Sequence, residues 1–223
     1  MTGGFGPRRR IEMTRSGRGG VLGGRPAATT RGRLSSLAID LFTENGFDET
    51  SVDDIANAAG IARRTLFRYY PSKNSLAWGE FTEHLDGLRD LLRSSPADVP
   101  LGVALRDALI AFNTVPEPEL DEHRRRMALL LGVPALQAHS MLMYADWRQV
   151  IADHCAERLG LDPASHIPQT IAWQTLGTAL AAYDQWLLDP DSDLTELLEI
   201  GSRVLIGGVA SLATPDPPPS TSR

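Results

Sequence analysis

Apolar residues recur at helical spacing along most of the chain, and no stretch keeps the strict apolar–polar alternation that would predict a β-strand. The first amphipathic stripe consists of Leu34, Leu37, Ala38, Leu41 and Phe42. These positions lie three or four residues apart, so they predict a helix over residues 30–45, and Gly46 follows it where a left-handed C-terminal cap is needed. The fold class expected from this pattern is all-α.

The next two helices are short and are joined by a tight turn. Ser51 is a good N-cap for the first, and Gly60 permits the turn into the second, which is expected over residues 63–70. A helix turns by about 100° per residue, which places Leu66 and Tyr70 of the second helix on the same, inward side. The opposite arc carries Arg64, Thr65, Arg68 and Tyr69. A basic second helix after a glycine turn is typical of a helix-turn-helix whose second helix enters the DNA major groove.

Six further stripes predict a helical bundle after this three-helix unit. The expected helices cover residues 72–94, 101–113, 119–131, 138–159, 169–188 and 193–213. Ser72 is expected to cap the first of them, and prolines and glycines separate the others. The total is about nine helices. They divide into a DNA-binding domain over residues 30–75 and a helical bundle over residues 76–213.

Charge is distributed unevenly along the chain, whose net charge is −6. Residues 1–75 carry 12 Arg or Lys and 7 Asp or Glu, whereas residues 76–223 carry 10 and 21. A basic end on an acidic body favours contact of the N-terminal third with nucleic acid. Residues 1–29, rich in Gly and Arg, are predicted to be a disordered basic arm, and residues 214–223, rich in Pro and Ser, a disordered tail.

Several other classes of protein fit the sequence poorly. No run of 18 apolar residues predicts a transmembrane helix, no apolar segment follows the N-terminal arginines as in a secretory signal, and the single Cys155 excludes an internal disulfide. A cytoplasmic protein without metal or cofactor is therefore expected. A helical enzyme using Cys155 is one alternative, although neighbouring His154 points about 100° away from it on a helix. A sequence-tolerant DNA-binding protein without an effector is another.

A series of short motifs runs from Gly46 to Leu76. They are Gly46-Phe47, Thr50-Ser51-Val52, Asp54-Ile55-Ala56, Ala59-Gly60-Ile61 and the run TLFRYYPSK over residues 65–73. Together they resemble the DNA-binding domain of TetR-family transcriptional regulators. The segments HRRRM (residues 123–127) and WRQVI (residues 147–151) are further similar to the subfamily of regulators linked to the mycofactocin system. Phe67 and Ala62 depart from the family pattern, since many members have Tyr at the first position and Ser or Thr at the second.

The predicted DNA contacts lie mainly on the third helix. Arg64 and Arg68 are the candidates for base edges, because the guanidinium fork matches guanine O6 and N7 together. The other predicted contacts are Arg31, Ser51, Arg63, Thr65, Tyr69 and Lys73. One such unit reads only a few base pairs, so we expect a homodimer on a palindromic operator with half-sites about 34–36 Å apart.

The resemblance implies that the last two helices pair with their copies as a four-helix bundle and that the bundle encloses an effector. The predicted interface consists of Gly177, Leu180, Asp184, Leu197, Gly201, Val204, Leu205, Gly208 and Leu212. The predicted effector wall consists of Trp78, Phe81, Phe112, Arg126, Met127, Met141, Tyr144, Trp147 and Trp173. This mostly apolar wall favours a mostly apolar effector, and a fatty acyl group or acyl-CoA is one class that fits. The implied function is a repressor that such an effector releases from DNA, with mycofactocin-related genes as targets and the helix from Ser72 as the lever.

Overall fold

The computed structural model describes residues 30–211, and within them the fold is all-α, as predicted. The helices are α1 Arg31–Asn45, α2 Val52–Ala58, α3 Arg63–Tyr69, α4 Lys73–Trp78, α5 Phe81–Ser94, α6 Leu101–Asn113, α7 Leu120–Gly132, α8 Pro134–Leu159, α9 His166–Leu188 and α10 Leu194–Ser211, with a 3₁₀ turn at Glu117–Glu119. The described residues thus contain ten α-helices where about nine were predicted. The predicted arm and tail lie outside this range.

Helices α1–α4 form a small unit, the head, around its own apolar core. Phe42 of α1, Ile55 of α2 and Leu66 of α3 are completely or almost completely buried in it. Side-chain caps fix where two of the helices begin: Thr30 accepts from the amide of Arg33, and Ser51 forms a capping box with Asp54. The predicted bounds of α1–α3 are confirmed to within a few residues.

The prediction of a single helix over residues 72–94 is wrong, because the structure has two helices there, α4 and α5. Ser72 caps α4 as expected, but the helix ends at Trp78. Gly79 follows with φ 64° and ψ −137°, a conformation that no helix can continue through and that glycine adopts most readily. The predicted lever is therefore two helices meeting at a glycine.

Two other helices begin earlier than predicted, and a proline stands in the first turn of each. Pro134 is the first residue of α8, and Pro168 is the third of α9. Amides in the first turn have no partner within the helix, so proline is tolerated there. Both prolines therefore lie inside helices, although the sequence pattern places prolines between them.

Helices α5–α10 form the body, which has a second apolar core. Helix α9 packs against α8 and α10, and α6 packs against α5 and α10. Trp147, Cys155 and Trp186 lie in this core. Helices α7 and α8 meet at an angle of 98°, and Leu130 and Leu136 on either side of that corner belong to the core of the head. The corner therefore joins body to head.

Within the described residues, no single helix combines the length and the apolar character needed to cross a membrane. Helices α7 and α8 satisfy such a test only together, as a pair with the sharp bend described above.

Candidate functional site

Helix α3 presents arginines on the face opposite its buried side. Leu66 and Tyr70 are buried, as predicted, and they lock the inner face of this short helix into the head. Arg64 and Arg68 are exposed on the other side, and among residues 30–211 neither side chain forms an ion pair or a hydrogen bond. The Arg68 guanidinium lies 5.7 Å from the centre of the Tyr69 ring. Two unpaired guanidinium groups one turn apart form a surface suited to base edges in a groove.

Two of the other predicted DNA contacts are on the rim of this surface and two are engaged within the head. Thr65 and Tyr69 are half-buried beside the arginines. Arg63 pairs with Asp53 at 2.8 Å, and Ser51 is occupied with the cap of α2. Ala62 provides no side-chain cap for α3, as its sequence predicted.

The structure gives Lys73 and Arg31 internal partners that the sequence did not indicate. The ammonium of Lys73 donates to the carbonyls of Phe47 (2.7 Å) and Thr50 (3.1 Å), so it ties the loop after α1 to the start of α4. Arg31 donates to the carbonyl of Tyr69 at 2.8 Å and lies 3.4 Å from Glu83. Two of the three ammonium hydrogens of Lys73 are thus engaged within the head, and its phosphate contact stays a prediction.

A cavity of about 650 Å³ lies between the head and the body. Seven of the nine predicted effector residues line it: Trp78, Phe81, Phe112, Arg126, Met127, Tyr144 and Trp147. Trp78 sits edge-on to Phe81 (4.8 Å between ring centres) and to Tyr144 (5.6 Å), so three aromatic rings from α4, α5 and α8 form one wall. The indole nitrogen of Trp78 and the hydroxyl of Tyr144 are buried without a hydrogen-bond partner among the described residues.

Met141 and Trp173 were predicted in this wall, and the structure contradicts both. Met141 is exposed on α8, and Trp173 is exposed on α9 with the Arg148 guanidinium stacked 3.6 Å from its ring centre. Helical spacing alone could not tell which face of these two long helices turns inward. Trp173 instead shares an arc of about 40° with Gly177 and Asp184 on the outer face of α9.

A chain of hydrogen bonds in the cavity wall was not foreseen. The hydroxyl of Tyr183 donates to Asn113 Oδ1 at 2.8 Å, so its oxygen accepts from Nε2 of His123, also at 2.8 Å. Burial, with the charge of Arg126 adding to it, lowers the pKa of His123 to about 4, so the ring is neutral near neutrality. The three residues lie on α6, α7 and α9, far apart in sequence, and no local pattern pointed to them.

Arg126 joins the cavity to the head. Its Nη1 donates to Ser35 Oγ and to the carbonyl of Ala77, both at 2.8 Å, and its Nη2 donates to Glu122 at 2.6 Å. Glu122 also accepts from Ser36 of α1 at 3.1 Å. Arg126 was predicted in the effector wall, but its contacts with the head, and the parts of Ser35 and Glu122 in them, were not foreseen.

The predicted dimer residues divide between the surface and the interior of the protomer. Gly177, Asp184, Val204 and Gly208 are exposed, and Val204 is 81% exposed. Leu205 is buried in the core of the body, Leu197 packs against that core, and Leu180 lines the cavity. A Cβ on Gly201 would lie 3.0 Å from Thr178, so this glycine serves the contact between α9 and α10. Leu212 lies outside the described residues.

The geometry gives no support to catalysis by Cys155. Its thiol is buried, and burial raises its pKa to about 12, so it is not a thiolate near neutrality. Among the described residues, no cluster of three His, Cys, Asp or Glu could hold a metal ion.

Comparison with known proteins gives one family match to the head and one to the body. Residues 34–77 match the model of bacterial regulatory proteins of the TetR family, and residues 99–210 match the MftR C-terminal domain. The chain is 51% identical over 189 residues to the putative mycofactocin biosynthesis transcriptional regulator MftR of Mycobacterium tuberculosis, covering 85% of this chain and 96% of that one.

Solved structures share the fold at low identity. One is FadR of Thermus thermophilus, a TetR-family transcriptional repressor in complex with lauroyl-CoA, with TM-score 0.55, 24% identity and coverage of 87% of this chain and 100% of that one. Another is FadR of Bacillus subtilis in complex with stearoyl-CoA, with TM-score 0.58, 16% identity and coverage of 78% and 97%. The family matches extend over most of the described helices, and the chain therefore belongs to the TetR family of transcriptional regulators and is not an enzyme.

Proposed function

We propose that the chain is a homodimeric, sequence-specific repressor, released from its operator by a mostly apolar ligand in the cavity. Residues 30–75 would read DNA, and residues 76–213 would bind the ligand and dimerise. The observation that carries this proposal is the pair Arg64 and Arg68, exposed and without partners among the described residues, on a helix whose other face is locked into the head. The mycofactocin regulator at 51% identity supports mycofactocin-related genes as targets.

The cavity favours an acyl chain with a polar head as ligand. Aromatic and aliphatic side chains form most of its wall, and its charged lining residues are Arg126 and the carboxylates Glu80, Glu119 and Glu122. The unpartnered Trp78 nitrogen and Tyr144 hydroxyl favour a ligand that brings an oxygen acceptor, because buried donors without partners cost free energy. The FadR structures hold lauroyl-CoA and stearoyl-CoA, which supports acyl-CoA as the ligand class.

The dimer would form through the outer faces of α9 and α10. Val204, Ile200 and Trp173 are 81%, 49% and 48% exposed, and the first two lie one turn apart on α10. Exposed apolar residues on two adjacent helices favour burial against a second copy. Trp173 thus moves from the predicted effector wall to the proposed interface.

The test uses fluorescence anisotropy with a labelled duplex from upstream of mycofactocin genes. We expect tight binding that random DNA competes poorly at about physiological salt, and release by lauroyl-CoA but not by CoA alone. Equal competition by random DNA would instead indicate a sequence-tolerant DNA-binding protein. Specific binding that lauroyl-CoA, stearoyl-CoA and laurate do not change would contradict the proposed ligand class. The proposal that the head binds DNA specifically would still stand.

A further inference from the structure

The C-terminal end of α4 is closed by side chains from other helices. Because α4 stops at Trp78 and the chain turns at Gly79, its last carbonyls have no helical donor. Ser35 of α1 donates to the carbonyl of Leu76 at 2.8 Å, and Arg126 of α7 donates to that of Ala77 at 2.8 Å. The same Nη1 also donates to Ser35 at 2.8 Å. Both hydrogens of this nitrogen are therefore committed to the head.

The guanidinium of Arg126 is at the same time part of the cavity wall. Its side chain is 18% exposed, and its cavity neighbours include Glu122, which bonds its Nη2 and also accepts from Ser36 of α1. The planar guanidinium is rigid, so a rotation that points Nη1 at a ligand takes it away from Ser35 and Ala77. An ionised acceptor in the cavity would compete with two neutral acceptors of the head, and bonds to charged acceptors are the stronger kind.

We propose that Arg126 is the residue that couples ligand binding to the head. A ligand whose carboxylate or phosphate oxygen reaches this guanidinium draws it away from Ser35 and Ala77, which frees the end of α4 and the junction with α1. The ligand then prefers the released head, and this difference in affinity shifts the population away from the DNA-reading arrangement. The inference rests on the proposed ligand in the cavity.

A second polar link between the same two helices provides a matched control. Arg125 of α7 pairs with Asp40 of α1 at 3.0 Å, and their side chains are 41% and 52% exposed. Neither residue lines the cavity, so a ligand cannot reach this pair. Asp40→Asn loosens α1 from α7 without touching the contacts of Arg126.

The test measures operator Kd with and without lauroyl-CoA for the wild type, Ser35→Ala, Arg126→Lys and Asp40→Asn. Each variant is measured at a lauroyl-CoA concentration at least about ten times its own Kd, so that a changed ligand affinity does not enter the ratio. We expect the ratio of the two operator affinities to fall by about fivefold or more in Ser35→Ala and Arg126→Lys, and to stay at the wild-type value in Asp40→Asn.

Three outcomes distinguish a failure of this inference from a failure of the proposed function. Weaker operator binding in Ser35→Ala and Arg126→Lys with an unchanged ratio would assign these residues a purely structural role and overturn the inference. An equal loss of the ratio in Asp40→Asn would also overturn it, since any loosening of α7 would then suffice. A wild type that binds operator but neither lauroyl-CoA nor laurate would contradict the ligand part of the proposed function, and the coupling with it. Lysine keeps the charge of Arg126, so this variant tests the coupling even if Ser35→Ala does not fold.

Discussion

Arg68 lies one turn after Arg64, and neither side chain has a hydrogen bond or an ion pair among residues 30–211. We predict that Arg68→Ala lowers the affinity for the operator by roughly tenfold or more, because a bidentate contact to one base is lost. Anisotropy titration with operator and with a base-substituted duplex measures the change. Arg93→Ala is the control, since Arg93 is highly exposed on α5 and pairs with the equally exposed Asp90 at 3.5 Å. Equal effects of both substitutions would mean that Arg68 contributes charge and no base contact.

His123 makes stability depend on pH in a predictable direction. Its pKa falls from the ordinary 6.5 to about 4 in the folded chain, chiefly through burial. The unfolded chain therefore binds the proton first, and acidification from about pH 7 to about pH 5 should cost about 2 kcal/mol through this group. We predict that His123→Gln, whose amide can still donate to Tyr183, loses that part of the pH dependence. Urea denaturation at both pH values checks it, and an identical pH dependence in the variant would contradict the buried neutral ring.

At the level of helices, Gly79 decides where α4 ends and α5 begins. A Cβ at this position would lie 3.0 Å from Ser35 Oγ and 3.3 Å from Arg126 Nη1, and φ is positive. We predict that Gly79→Ala destabilises the fold by about 1–3 kcal/mol. Gly87→Ala is the matched control on α5, because its Cβ would meet nothing within 4 Å and should stabilise the helix by roughly 0.5–1 kcal/mol. Chemical denaturation of both variants should give changes of opposite sign.

The same helices mark the limit of what sequence could predict. Local signals were sufficient for α1–α3, because the caps Thr30 and Ser51 and the turn glycines act within a few residues. The break at Gly79 was missed, because apolar spacing continues across it and the contacts that hold it come from Ser35 and Arg126, distant in sequence.

The candidate site likewise has features that local sequence predicted and features that depend on contacts distant in sequence. Its aromatic wall was predicted, since large apolar residues on amphipathic helices must be buried somewhere. The hydrogen bonds among His123, Tyr183 and Asn113 depend on how α6, α7 and α9 are packed together, which no helical pattern specifies. The same reason explains the misplacement of Met141 and Trp173.

On the scale of the whole molecule, the two heads of a dimer must be held at a fixed distance to read two half-sites. Within one protomer the head is tied to the body through the α7–α8 corner, where Leu130 and Leu136 enter the core of the head. Helices α9 and α10 pack on each other and leave Val204 and Ile200 outward. The spacing of the heads would then depend on one rigid connection inside each protomer and one interface between protomers.

Val204→Glu tests that interface directly, because Val204 is 81% exposed and a charge there is harmless to an isolated protomer. In the proposed dimer the carboxylate would be buried without a partner, so we predict that the dimer dissociates at least about a hundredfold more readily. Thr82→Glu is the control, since it adds the same charge at an exposed position in the first turn of α5, where the helix dipole favours it. Sedimentation velocity should give monomers for Val204→Glu and dimers for Thr82→Glu, with operator affinity lost only in the former. A Val204→Glu chain that remains dimeric would move the interface away from the outer face of α10, and a monomeric chain that still binds the palindrome tightly would show that a single head suffices.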